Sequence, residues 1–227
     1  MPEIHLSGPA GRLEGRYVPG RDSHAPVALL LHPHPQSGGT MNHKVIHALF
    51  HTFSRRGFAV LRFNFRGVGR SQGRYDRGEG ELADAAAALD WLQSQNPHGR
   101  ACWLAGLSFG AWIGMQLLMR RPEIDGFVAI SPPANLLDFS FLAPSPCPGL
   151  ILHGGGDEMV PGAAVEKLID RLSTPRENRI TYQLVAGATH YFQNQSEILV
   201  QHVETYLDAC LAATPPSGRG VSAALGD

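Results

Sequence analysis

The stretch Gly106-Leu107-Ser108-Phe109-Gly110 constrains the fold of this chain more than any other segment. An apolar run at 101–105 precedes it and is typical of a buried strand, whereas the apolar run at 111–119 that follows is typical of a helix. A serine in so sharp a strand-to-helix turn needs a strained backbone. Glycine two positions before and two after lets the strand and the helix approach without Cβ clashes. The pattern therefore predicts a strand, a tight turn with Ser108 at its tip, and a helix.

Short apolar segments alternate with helical patterns along the rest of the chain. This alternation predicts an α/β fold, with a mainly parallel sheet covered by helices on both faces. The chain has 227 residues, which predicts a single domain at 1–212 without a large cap domain, followed by a flexible tail at 213–227. The predicted strands lie at 13–18 (a strand or hairpin), 27–32, 59–63, 101–105, 127–131, 150–153 and 180–185, and the predicted helices at 42–56, 81–94, 111–119, 163–172 and 196–212.

Charge and composition exclude several classes of partner. The formal net charge is −1 and no long basic run is present, so we expect neither nucleic acid nor an anionic membrane surface as a partner. The first residues lack the pattern of a secretory signal, and the expected compartment is the cytoplasm. The three cysteines have no Cys-x-x-Cys spacing, which predicts neither a disulfide nor a thiolate metal site. Nothing in the sequence fixes an oligomeric state.

Two later segments each place a polar residue directly after a predicted strand. Asp157 stands in Gly154-Gly155-Gly156-Asp157-Glu158-Met159-Val160-Pro161, and His190 stands in Gly187-Ala188-Thr189-His190-Tyr191-Phe192. With Ser108 they give the chain order Ser…Asp…His. The chain resembles the α/β-hydrolases over residues 10–212. The resemblance rests on this chain order and on the two segments, which are similar to the G-x-x-D-x-x-V-P and G-A-x-H-x-F loops of those enzymes.

Three further segments narrow the resemblance. They are Leu31-His32-Pro33-His34-Pro35, the stretch 38–42, and the stretch 62–71 with its Arg-Gly-Val-Gly-Arg-Ser end. These segments look like those of small bacterial serine hydrolases related to dienelactone hydrolases. Dienelactone hydrolases themselves carry cysteine where Ser108 stands, so the resemblance does not imply their lactone activity.

The chemistry explains why these three residue types belong together. A serine hydroxyl is a poor nucleophile until a base removes its proton, and imidazole titrates near neutral pH. A carboxylate behind the imidazole fixes its tautomer and stabilises the imidazolium. We therefore assign Ser108 as nucleophile, His190 as general base and then acid, and Asp157 as the group that orients His190. Glu158 is the neighbouring alternative to Asp157, and the noncatalytic alternative for Ser108 is a plain glycine-rich connection.

Acyl transfer also needs two N–H donors for the tetrahedral oxyanion. One expected donor is the backbone amide of Phe109, directly after the nucleophile, and the other comes from the loop after the strand at 27–32. Because the prolines of that loop have no N–H, the choice lies between His34 and Gln36. We assign His34 by its position relative to the strand end. The alternative is that this loop is a rigid turn without a catalytic role.

Histidines suggest a rival interpretation, a metal site. His32 and His34 stand close together, and His43, His47 and His51 are spaced four residues apart on one predicted helix. No glutamate lies between them in an H-E-x-x-H pattern. We therefore expect flanking or surface histidines, with no metal and no cofactor.

Two other features also have alternative interpretations. Arg66 is either a ligand for an anionic substrate group or part of a structural ion pair. Gly67-Val68-Gly69 only partly matches a dinucleotide-binding pattern and is better interpreted as a turn after a strand.

The sequence as a whole predicts a serine hydrolase that cleaves small carboxylic esters through an acyl-enzyme. The alternatives are a peptidase or acylaminoacyl hydrolase, a thioester or lactone hydrolase, and a noncatalytic binding protein on the same fold. The connection at 132–148 is too short for a helical cap. Its apolar residues are expected either to form a wall over Ser108 or to complete the core; they are Leu136, Leu137, Phe139, Phe141 and Leu142.

Overall fold

The computed structural model describes residues 3–173 and 179–213. Within these residues the chain forms eight strands, five α-helices and one short 3-10 helix, Pro35–Ser37. In chain order the strands and α-helices are β1 (Glu3–Gly8), β2 (Gly11–Val18), β3 (Val27–Leu31), α1 (Lys44–Arg55), β4 (Ala59–Phe63), α2 (Glu79–Gln95), β5 (Cys102–Leu107), α3 (Phe109–Leu118), β6 (Gly126–Ile130), β7 (Gly149–Gly154), α4 (Gly162–Leu172), β8 (Ile180–Val185) and α5 (Ser196–Ala213). Of the predicted tail, residues 214–227 lie outside the described residues.

The strands form one sheet in the order β1-β2-β4-β3-β5-β6-β7-β8. Six neighbouring strands pair in parallel: β4, β3, β5, β6, β7 and β8. At one edge β1 and β2 form an antiparallel hairpin, and β2 pairs antiparallel with β4. The predicted α/β class and its mainly parallel sheet are therefore confirmed. The sequence pattern placed one strand or hairpin near 13–18, and the structure forms the full hairpin from β1 and β2.

Side chains alternate between two cores, one on each face of the sheet. In β3, Leu29 and Leu31 enter the core under α2, α3 and α4, whereas Ala28 and Leu30 enter the core under α1 and α5. Strands buried on both faces appear in the sequence as continuous apolar runs, as the strand segments here do. Cys102 of β5 lies in this interior as a free thiol, and burial raises its pKa to about 12.

The order of the central strands places a crevice at one edge of the sheet. The chain leaves β3 toward β4 on one side, while β5 pairs with β3 on the other. Loops that follow β3 and β5 therefore diverge at the carboxyl ends of these strands, which is where ligands bind in open α/β sheets. His34 lies after β3, and Ser108 lies after β5.

Candidate active site

Ser108 occupies the tight turn between β5 and α3. Its φ of 53° is in a range that non-glycine residues rarely adopt, and its N–H is held by the carbonyl of Ile130 at 2.8 Å. A Cβ on Gly106 would overlap the carbonyl of Gly110. Only glycine permits so close an approach of strand and helix, which is the local geometry that the sequence predicted.

His190 lies in the loop between β8 and α5, and its ring reaches Ser108. The distance from His190 Nε2 to Ser108 Oγ is 2.8 Å. The imidazole is buried with 4% exposure, and the ring of Tyr191 packs edge-on against it at a centroid distance of 4.8 Å. Gly187, with a φ of 67°, turns the chain after β8 and so directs this loop back over the sheet edge.

Asp157 lies in the loop after β7, on the far side of the His190 ring. Its Oδ2 is 2.7 Å from His190 Nδ1, and its Oδ1 accepts the backbone N–H groups of Met159 and Val160, each at 2.9 Å. The Asp157 side chain has no exposed surface. Glu158, the alternative carboxylate, is exposed to solvent, so the structure places Asp157 and not Glu158 on the histidine.

The three side chains form a continuous chain of hydrogen bonds. When neutral His190 carries its proton on Nδ1, it donates to Asp157 and offers the Nε2 lone pair to the hydroxyl of Ser108. Such an arrangement can take the hydroxyl proton while the oxygen attacks a carbonyl carbon, and the carboxylate stabilises the resulting imidazolium. The structure thus brings together the three residues that the sequence singled out.

The two expected oxyanion donors are the backbone N–H groups of Phe109 and His34. Among the described residues, the N–H groups of Phe109 and His34 have no hydrogen-bond acceptor. The N–H of Gln36, in contrast, donates to His34 Nδ1 at 3.2 Å. A Cβ on Gly110 would overlap the carbonyl of Leu31, so the start of α3 lies directly against the end of β3. This close packing brings the loop that contains His34 next to the turn at Ser108.

Comparison with known proteins places this geometry in a family. A solved structure from Xanthomonas campestris, described as an α/β serine hydrolase without a lid, is 32% identical to this chain, with a TM-score of 0.83, and the match covers 94% of this chain and 96% of that one. The chain belongs to the α/β serine hydrolases. It also belongs to the family whose model is described as X-Pro dipeptidyl-peptidase (S15 family), which matches residues 15–143. That match includes Ser108 and ends before Asp157 and His190.

Two further relatives cover nearly the whole hydrolase. A solved structure of a candidate α/β hydrolase of unknown function from Agrobacterium tumefaciens is 55% identical, with a TM-score of 0.90, and the match covers 93% of this chain and 97% of that one. An uncharacterized protein of Rickettsia prowazekii is 50% identical over 211 residues, 91% of this chain and 89% of its own. Both likenesses extend beyond the part that the family model matches, and so include the segments with Asp157 and His190.

The connection between β6 and β7 covers part of the sheet edge without forming a lid. Described residues 131–148 contain neither helix nor strand. Phe139 is buried in the core, and Leu137, Phe141 and Leu142 pack partly against it, whereas Leu136 is 54% exposed. Phe139 thus completes the core, while Leu137, Phe141 and Leu142 pack against it and stay partly exposed. Over the described residues, moreover, no helix is both long enough and apolar enough to cross a bilayer.

The other histidines of the hydrolase have structural contacts. His32 is fully buried; its Nδ1 lies 2.6 Å from the carbonyl of Pro33, and its Nε2 accepts the N–H of Phe65 at 3.0 Å. Burial lowers its pKa to about 3, so the ring is neutral and links the loops after β3 and β4. His43 precedes α1 and caps it, because its Nδ1 accepts the N–H of Val45 at 3.3 Å.

The two remaining histidines of the rival metal interpretation, His47 and His51, lie on α1. Their Nε2 atoms are 3.4 Å apart on the surface of the helix. The described residues contain no group of three or more histidine, cysteine, aspartate or glutamate side chains placed to hold a metal ion.

Arg66 forms a structural ion pair. Its guanidinium binds Asp84 through two hydrogen bonds, Nη2 to Oδ1 at 2.8 Å and Nε to Oδ2 at 3.0 Å. The Asp84 side chain is fully buried, and only 9% of the Arg66 side chain is exposed. The ion pair therefore joins the turn after β4 to helix α2, and the structure supports the ion-pair interpretation of Arg66.

Two residues near the site were not recognised in the sequence. His153, at the end of β7, places its Nδ1 3.7 Å from Asp157 Oδ2 and its Nε2 3.0 Å from the carbonyl of Val160, and burial lowers its pKa. Tyr75 places its hydroxyl 3.1 Å from His34 Nε2. His153 stands four residues before Asp157, a spacing that could have been noticed. Tyr75 lies in a glycine- and arginine-rich loop without any motif.

Proposed function

We propose that this hydrolase cleaves small carboxylic esters through an acyl-enzyme, with Ser108 as nucleophile, His190 as general base and acid, and Asp157 as the orienting carboxylate. The hydrogen-bonded chain is the observation that carries this proposal: 2.8 Å from Ser108 Oγ to His190 Nε2, and 2.7 Å from His190 Nδ1 to Asp157 Oδ2. The strained backbone of Ser108 supports it, because such strain is retained at functional sites where the surroundings enforce it.

The proposed reaction has two stages. Ser108 Oγ attacks the ester carbonyl carbon as its proton passes to His190 Nε2, and the oxyanion accepts hydrogen bonds from the N–H groups of Phe109 and His34. The tetrahedral intermediate then breaks the bond to the leaving alcohol, which takes the proton from His190 and departs. Water repeats the sequence on the acyl-enzyme, so that the carboxylic acid is released and Ser108 regains its proton.

A fluorophosphonate probe tests the proposed nucleophile. Attack by Ser108 forms an oxygen–phosphorus bond and expels fluoride, so the intact mass of the protein should rise by one phosphonyl group. Peptide mapping should locate that group on Ser108. An unlabelled wild-type protein that also leaves a panel of esters intact would contradict the proposed function and favour a noncatalytic binding protein on this fold.

The proposed substrates are short, and the acyl-chain preference tests this. Most of the apolar side chains between β6 and β7 already pack in or against the core, so each further methylene finds little new surface, although a buried CH₂ contributes about 0.8 kcal/mol. We expect kcat/KM on p-nitrophenyl esters to be highest for acetate to butyrate and to fall for longer chains. A clear preference for long-chain esters, or activation at a lipid interface, would contradict an open site.

A peptidase is the second candidate function, because the matching family model is that of an X-Pro dipeptidyl-peptidase. The same nucleophile, base and oxyanion donors can cleave an amide. A pair of chromogenic substrates separates the two candidates: an X-Pro dipeptide p-nitroanilide, which contains an amide bond, and an acetyl ester of p-nitrophenol. The ester proposal expects turnover of the ester, with little cleavage of the dipeptide anilide; the opposite order would favour the peptidase.

Activity should survive removal of metal ions. Triad chemistry obtains its nucleophile from a base rather than from a Lewis acid, so exhaustive chelation is expected to leave kcat unchanged, measured on the same ester before and after treatment. Loss of activity that one metal restores would revive the histidine interpretation. A cytoplasmic location and the absence of nucleic-acid and membrane partners also stay predictions.

A further inference from the structure

The side chains of the two proposed oxyanion donors touch one another. The rings of His34 and Phe109 pack edge to face, with centroids 5.0 Å apart. Tyr75 contacts both of them, with its ring centroid 5.0 Å from His34 and 6.1 Å from Phe109. His34 follows β3 and Phe109 begins α3, so the three rings link the two segments that carry these N–H groups. We call these residues the three-ring cluster.

Hydrogen bonds fix the orientation of the His34 ring within the cluster. Its Nδ1 accepts the N–H of Gln36 at 3.2 Å, so the proton of the neutral imidazole is on Nε2, which donates to the hydroxyl of Tyr75 at 3.1 Å. Burial lowers the pKa of His34, which keeps the ring neutral. Both ring nitrogens are therefore engaged, and neither is free to act on a substrate.

Tyr75 connects the His34 loop to a rigid part of the fold. Two residues that follow Tyr75, Asp76 and Gly78, donate their backbone N–H groups to the carboxylate of Glu81 of α2, at 2.9 Å and 2.7 Å. Glu81 is fully buried. The backbone that follows Tyr75 is thus hydrogen-bonded to the start of α2. The hydrogen bond from His34 to the Tyr75 hydroxyl connects the His34 loop to this segment.

We propose that Tyr75 is a positioning residue for the oxyanion hole, acting through the imidazole of His34 on the direction of the His34 N–H. The inference rests on the proposed function. Tyr75 does not touch the reacting atoms in this arrangement. The Tyr75 hydroxyl orients the His34 imidazole through one hydrogen bond. The imidazole in turn accepts the N–H of Gln36 and so stabilises the loop that contains the His34 N–H. Preorganised donors stabilise a developing oxyanion because they need no rearrangement during the reaction.

The variant Tyr75→Phe tests the hydroxyl while keeping the ring contacts. Because one neutral hydrogen bond is lost and its effect is indirect, we expect kcat on a short p-nitrophenyl ester to fall about 5- to 10-fold while KM changes less than about twofold. Tyr17→Phe is the matched control. It removes a similar bond, from the Tyr17 hydroxyl to Asn96 Oδ1 at 3.2 Å, on strand β2 away from the cluster, and it should leave both constants unchanged.

The inhibition constant of a trifluoromethyl ketone distinguishes a positioning role of Tyr75 from a merely structural one. Ser108 Oγ adds to the carbonyl carbon of the unhydrated ketone, its proton passes to His190 Nε2, and the carbonyl oxygen becomes an oxyanion that faces the two donors. We expect Tyr75→Phe to raise this inhibition constant by the same factor by which kcat/KM falls, with a melting temperature that matches that of Tyr17→Phe. An unchanged inhibition constant, or kcat within twofold of wild type, would overturn the inference.

A double-mutant cycle tests whether Tyr75 acts through His34. In His34→Asn the shorter side chain can still accept the N–H of Gln36, as asparagine does in turns, but it cannot reach Tyr75. In that background Tyr75→Phe should change kcat less than twofold; a persistent 5- to 10-fold loss would overturn the proposed route. Failure of this inference can be distinguished from failure of the proposed function. In the second case the wild-type protein would neither hydrolyse esters nor react with the fluorophosphonate.

Discussion

Replacing Ser108 with alanine should lower kcat on any ester substrate by about 10⁴-fold or more, while the fold survives. The hydroxyl is the group that becomes covalently bonded to the substrate in the proposed reaction, and it is the group that lies 2.8 Å from His190 Nε2. What remains is the smaller acceleration from substrate binding and the oxyanion donors. The measurement is steady-state hydrolysis of a short p-nitrophenyl ester, together with loss of fluorophosphonate labelling.

Ser131 supplies a matched control for this experiment. It directly follows β6, the strand beside β5, and it too has a positive φ, 45°. Its buried hydroxyl has no hydrogen-bond partner among the described residues. Ser131→Ala therefore removes the same atom from the neighbouring strand end and should keep kcat close to that of wild type. If Ser108→Ala retained a tenth of wild-type activity, or if Ser131→Ala were the crippling variant, the assignment of the nucleophile would be wrong.

The sequence predicted most elements of the fold because local patterns determine them. The strand β8 has the predicted bounds, Ile180–Val185, since it begins and ends on apolar residues between Arg179 and the turn at Gly187. Helix α2 begins two residues earlier than predicted because Glu81 accepts the N–H of Gly78 and so stabilises the first turn. The antiparallel pairing of β2 with β4 was beyond local patterns, because it depends on which edge of the sheet is open.

The site divides in the same way. Ser108, Asp157 and His190 each follow a strand in a recognisable loop, and parallel strands bring their carboxyl ends to one edge, so their proximity could be expected from the sequence. The contact of Tyr75 with His34 joins residues 41 positions apart through side chains alone. The burial of Phe139 was equally hard to predict from the sequence, because an apolar residue after a strand can face either a substrate or the core. Only packing decides such contacts.

Removing the imidazole of His190 should be about as damaging as removing the Ser108 hydroxyl. His190→Ala leaves Ser108 without a base and the leaving alcohol without an acid, so kcat should fall by about 10⁴-fold. Because the two residues act as a unit, the double variant Ser108→Ala/His190→Ala should be no slower than either single variant. Hydrolysis of one ester by all three proteins provides the comparison, and additive losses would show that the residues act independently.

The two adjacent carboxylates extend this argument to the third residue. In Asp157→Asn the amide cannot stabilise an imidazolium, and it favours the wrong tautomer of His190, so we expect a loss of about 10³- to 10⁴-fold, somewhat less than for His190→Ala. Glu158→Gln is the matched control, because it neutralises the next residue, whose side chain is exposed. It should stay within twofold of wild type. The reverse result, a mild Asp157→Asn and a crippling Glu158→Gln, would mean that the catalytic carboxylate is Glu158 and that the 2.7 Å contact between Asp157 and His190 is not the one used in catalysis.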